Sequence, residues 1–591
     1  MKNIIFALFI LLFVSSSCND DFLERFPLDS ISNETFWNTE NDLTVYNNTF
    51  YNLARNDNNV PIMMGHDEGF NSNFLSIWYL DELSDNATSV HPRHTFYMQV
   101  RAGKHNAPVN PTDYNYGYGG WNFVRAINIG LANYGKAKVT EVIRNRYIGE
   151  ARLMRGWFYA DKVSKFGDVP YVEKELTTES PELFAARMPR VQAMDKIFDD
   201  LDFAAKNLPN SWGDGGAPGR LNRWCALLVQ ARVCLFEGTW RKYHGIAGGD
   251  KFMQKAAEAS KELIDKGPYR IFSTGNPNTD YNSYMRALNL SGNPEVMYWR
   301  KYTLGVITNH VQSYFEYHGG ATRDFVEDYL CTDGLPASLS PLYKGDAKIE
   351  DTFENRDPRM RQTVLHPADA IAYKFHLEDK RAYPRLQGMA GGRVSNTGYH
   401  VIKNYNADDM IGKAFNTAES PAITLRFAEA LLIYAEAQAE LGKLTQGDLD
   451  ITVNKLRDRV KMSHLKLDKV PEDPRYAAEG ITPILAEIRR ERRIELFNEG
   501  FRYDDLRRWK QGSKLAKKSL GLAMDASQKT RYTGSVVKLF KDPVNGKEYL
   551  DPYAGSDFAT PVFDESRHYL WPIPLNSIAQ NPALKQNPGW N

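Results

Sequence analysis

The chain has 591 residues, of which 42% are hydrophobic, and it contains 73 Lys and Arg against 73 Asp and Glu. A chain of this length and composition can bury a large core. Its balanced charge disfavours binding to nucleic acid or to an anionic membrane surface, because both need a positive field on the protein.

The N-terminus has the pattern of an export signal. Lys2 precedes an apolar run over residues 4–14, and three serines then lead to Cys18. The run is shorter than the roughly 20 residues that span a bilayer. We predict that residues 1–17 are a lipoprotein signal peptide and that Cys18 carries a diacylglycerol. The alternative is an ordinary secretory signal followed by an incidental Cys. Without residues 1–17 the chain loses only Lys2, leaving 72 basic against 73 acidic residues.

Two long stretches, 85–120 and 267–420, are rich in Gly, Pro, Asn, Tyr and Asp and have little periodicity. Loops of this length are unusual in a compact domain and tend to be functional. These stretches predict an irregular face, built from loops, on a scaffold of another kind.

Elsewhere, apolar residues recur every three or four positions, which predicts amphipathic helices. Pro421 and Gly442 mark the start and stop of one of them. Small residues such as Ala256 and Ala435 fall where paired helices would cross, as in tetratricopeptide-like arrays, although the period is not regular enough to establish exact repeats. The patterns are Val191, Met194, Phe198, Leu201, Ala205 and Leu208; Phe252, Ala256, Ala259 and Leu263; Ile423, Phe427, Leu431, Tyr434 and Leu441; Leu449, Val453, Leu456 and Val460.

The remaining cysteines do not suggest a disulfide or a metal site. Cys225 and Cys234 would lie about 13 Å apart along one helix, beyond the reach of a disulfide. With Cys331 they are predicted to be buried small hydrophobes. No Cys and His spacing is typical of zinc, so we predict neither a metal nor a cofactor.

Four stretches together resemble the SusD/RagB family of outer-membrane nutrient-binding lipoproteins. Smaller matches are NRDPR at 355–359 and WPIP at 571–574. The matches span nearly the whole chain after the signal. The four are CNDDFLE at 18–24 with Pro27 and Phe36-Trp37; EARLMRGWFY at 150–159 with FGDVP at 166–170; LRFAEALLIYAEA at 425–437; and ERRIEL at 491–496 with EGFR at 499–502 and DLRRW at 505–509.

The resemblance implies a mostly α fold, a SusD-like α-α superhelix of four tetratricopeptide-like helix pairs, with long irregular loops forming a ligand-binding face. It divides the mature domain, 18–591, into an N-terminal part at about 18–240 and a C-terminal part at about 241–591. It implies a partner, a SusC-like TonB-dependent β-barrel transporter. Asp20 and Asp21 fit the pattern that, in this family, directs the lipoprotein to the exterior of the outer membrane.

The first candidate site is the aromatic loop DYNYGYGGW at 113–121, with Tyr114, Tyr116, Tyr118 and Trp121. Sugars present hydroxyls for polar side chains and an apolar C–H face for aromatic rings. A Gly-rich backbone favours exposed, adaptable rings. The alternative for Trp121 is that it starts the next helix and packs inside.

The second candidate is Trp78-Tyr79 with Asp85 and Asn86, because the family's ligand-side segment resembles this stretch. The alternative for Asp85 is to cap a turn, a common role for Asp-Asn. Mid-chain candidates follow from the resemblance and from the loops: Tyr281, Tyr284 and Trp299, with Tyr314 and Tyr317, and finally Arg393 with Tyr399. Trp299 lies in an alternating segment that also fits a buried strand.

The charged motif around Glu491 admits a catalytic or a structural interpretation. On a helix, Glu487, Glu491 and Glu495 would share one face, and arginines pair readily with such carboxylates. A structural ion-pair lattice is the favoured interpretation. Motifs for metalloprotease, nucleotide-binding or esterase chemistry are missing.

The sequence therefore favours a lipoprotein without enzymatic activity that captures oligosaccharides or another nutrient at the cell surface and delivers them to the transporter. The alternatives are a surface glycoside hydrolase, a helical scaffold that binds no glycan, and a peptide-uptake lipoprotein.

Overall fold

The computed structural model describes residues 36–52, 65–66, 76–90, 95–107, 117–213, 219–314, 319–375, 382–390, 394–411, 413–414 and 417–590. The helices are α1 Glu40–Asn52, α2 Thr95–Arg101, α3 Trp121–Asn133, α4 Glu141–Phe166, α5 Arg190–Asn207, α6 Arg223–Tyr243, α7 Gly249–Lys266, α8 Val311–Tyr314, α9 Arg323–Glu327, α10 Ile349–Phe353, α11 Pro358–Thr363, α12 Phe427–Glu440, α13 Gln446–Ile451, α14 Val453–Arg459, α15 Pro483–Glu495, α16 Arg502–Arg508, α17 Ala526–Arg531 and α18 Leu575–Gln580.

Consecutive long helices pack in pairs, as the periodicity predicts: α4 with α5, and α6 with α7, which in turn contacts α12. Small residues permit the close crossings. A Cβ added at Gly156 would lie 3.0 Å from the Leu201 side chain, and one at Gly238 would lie 2.5 Å from Met253. The predicted mostly helical, tetratricopeptide-like scaffold is confirmed.

Two predicted helices have other boundaries. The segment after Pro421 begins as strand β6, Ala422–Arg426, and α12 starts only at Phe427. The β-branched Ile423 and Thr424 suit a strand, and pairing with a distant segment overrides the helical pattern. The stretch from Leu449 to Val460 is two helices, α13 and α14, which separate at Thr452; this residue has φ −125° and ψ −96°, outside the helical region.

The strands form small two-stranded sheets that hold the irregular segments. In β2 and β6, Trp299 pairs with Ile423 and Val296 with Arg426, both antiparallel. The pairs β1 with β3 and β7 with β8 are antiparallel, and β4 with β5 is parallel. The strands are β1 Ala87–Thr88, β2 Val296–Arg300, β3 Gly320–Ala321, β4 Arg385–Leu386, β5 Val394–Ser395, β6 Ala422–Arg426, β7 Lys538–Lys541 and β8 Glu548–Asp551.

The two largest groups of buried apolar side chains are one core among the long helices and a second one beneath the loop segments. The helical core includes Cys225 and Cys234, and Cys331 is also buried; all three are free, as predicted. The second core includes Trp78, Tyr118 and Trp571. It supports the surface that the irregular segments build, which we call the loop face: the described parts of 65–121 and 302–411.

Candidate functional site

The N-terminal part of the loop face is a 3₁₀ helix, Ile77–Leu83, whose side chains are all buried. Ser76 caps it, its Oγ accepting a hydrogen bond from the Trp78 backbone N–H at 3.1 Å. The Trp78 indole is only 3% exposed and packs against the His66 ring, with centroids 4.6 Å apart. The expectation that Trp78 presents its ring to a ligand is therefore wrong, because the ring fills the second core.

Asp85 and Asn86 are also buried and hold α15 and α16 in place. Arg502 donates to both Asp85 carboxylate oxygens, at 2.7 and 2.8 Å. Arg493 donates to Asn86 Oδ1 at 2.7 Å, and Asn86 Nδ2 donates to Asp81 Oδ2 at 3.0 Å. Burial alone would raise the pKa of the Asp85 carboxyl, but the two guanidinium groups hold that pKa well below its ordinary value. These hydrogen bonds occupy the groups that were expected to bind a sugar.

Of the four aromatic candidates at 113–121, the structure describes Tyr118 and Trp121, and these two lie in different environments. Tyr118 is 4% exposed and packs edge-on against Phe166, with centroids 5.0 Å apart. Trp121 starts α3 and contacts Phe158, but it remains partly exposed. The expected exposure of Tyr118 is wrong because its ring fills the second core, whereas Trp121 keeps a surface that a ligand can contact. Tyr114 and Tyr116 lie outside the described residues.

The mid-chain aromatic candidates belong to the interior. Tyr284 is 3% exposed, and its hydroxyl donates to Glu295 Oε1 at 2.8 Å. Trp299 is 3% exposed and Tyr399 1% exposed. Tyr281 is buried too, with its hydroxyl 2.8 Å from the Glu495 carbonyl oxygen.

The expectation that these mid-chain aromatic residues contact a ligand is therefore wrong. The alternating pattern around Trp299 belongs to the buried strand β2, and the hydroxyls of Tyr284 and Tyr281 donate to acceptors inside the protein. Arg393 and Tyr317 lie outside the described residues, as does the side chain of Tyr314.

A cavity of about 30 Å³ lies between the loop face and Asn498, with Trp78, Thr88 and Gly319 in its wall. Strands β1 and β3 close one side of it, and their approach requires glycine: a Cβ added at Gly319 would lie 1.5 Å from the Thr88 carbonyl oxygen. This volume is about that of one water molecule in the liquid. The cavity is too small for a sugar ring.

The charged motif around Glu491 forms the structural lattice that its spacing predicts. Arg359 of α11 donates to Glu491 and Glu495 of α15, at 2.5 and 3.0 Å. Arg457 of α14 lies 3.1 Å from Glu491. Burial would raise the pKa of the Glu495 carboxyl, but Arg459 and Arg426 bring it far below the ordinary value. Buried charges fixed in this way tie four elements together.

Across the described residues, no three His, Cys, Asp or Glu side chains are grouped so that they could hold a metal ion. Within the same part of the chain, no helix combines the length and apolar character needed to cross a membrane. Cys18 lies outside the described residues.

Comparisons with known proteins agree with this architecture. The model of the SusD family matches residues 271–590. SusD-like protein P25 of Formosa agariphila is 23% identical, with 100% of this chain and 99% of that protein covered. The crystal structure of a SusD-like carbohydrate-binding protein from Bacteroides fragilis superposes with a TM-score of 0.70 at 21% identity, covering 93% of this chain and 100% of the other. A laminarin-binding SusD-like protein has a TM-score of 0.58 at 17% identity, covering 94% and 100%. The chain belongs to the SusD family.

Proposed function

We propose that this protein is a cell-surface lipoprotein without enzymatic activity that binds glycans on its loop face. The observation that carries the proposal is the fold match over nearly the whole chain to a SusD-like carbohydrate-binding protein. The laminarin-binding relative shares the same fold and supports the same class of ligand.

The loop face suits weak, shallow glycan contacts. Trp121 offers a partly exposed indole at the first position of α3. Phe123, Val124 and Ile127 of the same helix belong to the helical core and fix the helix from which Trp121 projects. Contacts of this kind exchange hydrogen bonds with water for hydrogen bonds with protein, so a modest affinity is expected.

The same proposal includes the cellular location of the protein and the delivery of its ligand. A diacylglycerol on Cys18 would hold the protein at the exterior of the outer membrane, where a TonB-dependent β-barrel transporter would receive the bound oligosaccharide. The sequence pattern at residues 1–21 and the family membership support this arrangement.

The test is a polysaccharide and oligosaccharide panel applied to the chain from Asn19 onward. Saturable binding with no new reducing ends is the expected result. Release of reducing ends would favour a surface glycoside hydrolase. Absence of glycan binding together with co-purification of a barrel protein would favour a scaffold, and specific binding of peptides would favour peptide uptake.

A further inference from the structure

A cavity of about 160 Å³ lies where the helical scaffold meets the irregular segments. Helices α4, α6 and α12 form one side, and the segment 499–508 forms another. None of the aromatic residues predicted from the sequence to bind a ligand lines it. Three of the four stretches that carry the family resemblance do, through residues such as Trp157, Glu429 and Phe501.

The charges in the cavity wall are neutralised by protein partners. Arg232 donates to both Glu429 oxygens, at 2.7 and 2.6 Å. Arg426 pairs with Glu499 at 2.6 Å. Arg492 pairs with Asp505 at 2.9 Å. A ligand with a net charge would find no uncompensated opposite charge among these pairs, so its desolvation would not be repaid.

Some hydrogen-bonding atoms in the wall have unused capacity. Arg492 is 4% exposed, and its Nη1 has no hydrogen-bond partner within the described residues. Asp161 and Asp504 each accept a side-chain hydrogen bond through Oδ1, from Lys165 and Arg507. In the part of the chain that the structure describes, Oδ2 of either carboxylate accepts none. Their side chains are 21% and 38% exposed, which places them at the solvent side of the cavity.

The wall thus offers one unsatisfied donor, two carboxylate acceptors and apolar surface. A hydroxyl can both donate and accept, so a polyhydroxylated ring suits polar groups of both kinds. The side chains of Ile77, Leu80 and Ile433 supply apolar surface for its C–H face. The volume corresponds to about five water molecules, and a cavity of about 150 Å³ admits benzene. A larger pyranose ring would extend toward the solvent side of the cavity, where Asp161 and Asp504 lie.

We propose that this cavity binds one pyranose ring of a neutral sugar, at a site separate from the loop face. The occupant is a free monosaccharide or the end of a short oligosaccharide. This site goes beyond the glycan binding proposed above and does not depend on it, because the partly exposed Trp121 is not part of its wall.

The test uses the full-length protein in a detergent without a sugar headgroup and follows binding by ligand-observed NMR. The neutral probes are glucose, galactose and mannose, and the charged probes are glucuronate and glucosamine. At least one neutral sugar should bind saturably in the millimolar range, at least tenfold tighter than the charged probes. Equal or tighter binding of a charged probe would overturn the neutral-ligand inference.

Two substitutions, Ala160→Leu and Asp504→Asn, locate the site, and a third serves as a control. Ala160→Leu adds volume to the cavity wall without removing a charge and should weaken monosaccharide binding at least tenfold. Ala439→Leu, at another half-buried helical alanine outside the wall, is the matched control and should leave binding unchanged. Asp504→Asn keeps the shape of the side chain and should weaken binding several-fold.

Each outcome separates this proposal from the loop-face proposal. Oligosaccharide capture on the loop face should survive Ala160→Leu, and monosaccharide binding in the cavity should survive Trp121→Ala. The absence of any bound monosaccharide at 100 mM, or unchanged binding in both Ala160→Leu and Asp504→Asn, would refute the cavity site and leave the loop face untouched.

Discussion

Asp81 is buried in an environment that disfavours its charge, and its replacement by Asn should stabilise the protein. Its Oδ2 accepts hydrogen bonds from the Asn498 backbone N–H at 2.7 Å and from Asn86 Nδ2 at 3.0 Å, whereas Oδ1 has no partner within the described residues. Burial raises the pKa of the carboxyl from 3.8 to about 6, despite these hydrogen bonds and the attraction of Lys403 and Arg502.

The magnitude follows from proton linkage. Each pKa unit corresponds to about 1.4 kcal/mol, so a pKa of about 6 instead of 3.8 costs about 3 kcal/mol of unfolding free energy when the carboxyl is ionised. Between pH 3.8 and 6 the folded chain binds more protons at this group than the unfolded chain does. The contribution of Asp81 therefore makes the protein less stable as pH rises through that window, and the cost is complete above pH 6.

The amide oxygen of an asparagine introduced at this position can accept both hydrogen bonds without carrying charge. Asp81→Asn should therefore raise the unfolding free energy at pH 7 by up to about 3 kcal/mol, and this gain should vanish near pH 3.8. Urea denaturation followed by tryptophan fluorescence at both pH values measures it. A loss of stability at pH 7, or a gain that persists at low pH, would refute the reasoning.

Asp85→Asn is the matched control, since Asp85 lies four residues further on and is equally buried. Its carboxylate is held by Arg493 and Arg502, which lower its pKa instead of leaving it raised. Removing this charge leaves the buried guanidinium of Arg502 without its carboxylate partner and should cost about 3–5 kcal/mol at pH 7. Opposite signs for two neighbouring Asp→Asn changes would not arise from a general effect of substitution in this segment.

Three further predictions concern the second core, the loop face and the anchor. Trp78→Ala should lose about 3–5 kcal/mol of stability in the same denaturation assay, whereas Trp121→Ala should weaken glycan binding and leave the helical circular dichroism unchanged; destabilisation of both variants alike would assign Trp121 to the core. Burial lowers the pKa of the His66 imidazole from 6.5 to about 3, so the folded protein loses up to about 5 kcal/mol of stability as pH falls through this range. His66→Gln should remove this loss and flatten the dependence of stability on pH between 6.5 and about 3. An unchanged pH profile would contradict this. Cys18→Ala should move the protein from the membrane to the soluble fraction on immunoblots with its glycan affinity intact, and continued membrane retention would argue against lipidation.

The helical scaffold could be predicted from the sequence because packed amphipathic helices require apolar residues every three or four positions. The pattern from Val191 to Leu208 matches α5, and that from Phe252 to Leu263 lies within α7. The start of α12 could not be predicted in this way, since the strand character of 422–426 depends on pairing with 296–300, more than 120 residues earlier.

The candidate binding residues could not be assigned to the core or to the surface from the sequence, because an aromatic or acidic residue can occupy either environment. Trp78 and Trp121 illustrate the difficulty: both sit beside irregular segments, yet one is buried and the other partly exposed. The hydrogen bonds that occupy Asp85 come from Arg493 and Arg502, more than 400 residues away. Only the alternation around Trp299 and the helix start at Trp121 offered a local signal for the correct environment.

This contrast explains why the family is easier to identify than the ligand. Buried charges tolerate few arrangements, because each must face a fixed partner: Arg426 contacts Glu295, Glu495 and Glu499 at once. Such requirements confine whole motifs, such as the one at 491–509, to one pattern. A solvated loop that carries an aromatic ring has no comparable constraint. The ligand preference that we propose for the loop face can therefore change through its exposed residues, while the lattice beneath it and the cavity that the lattice lines keep their geometry.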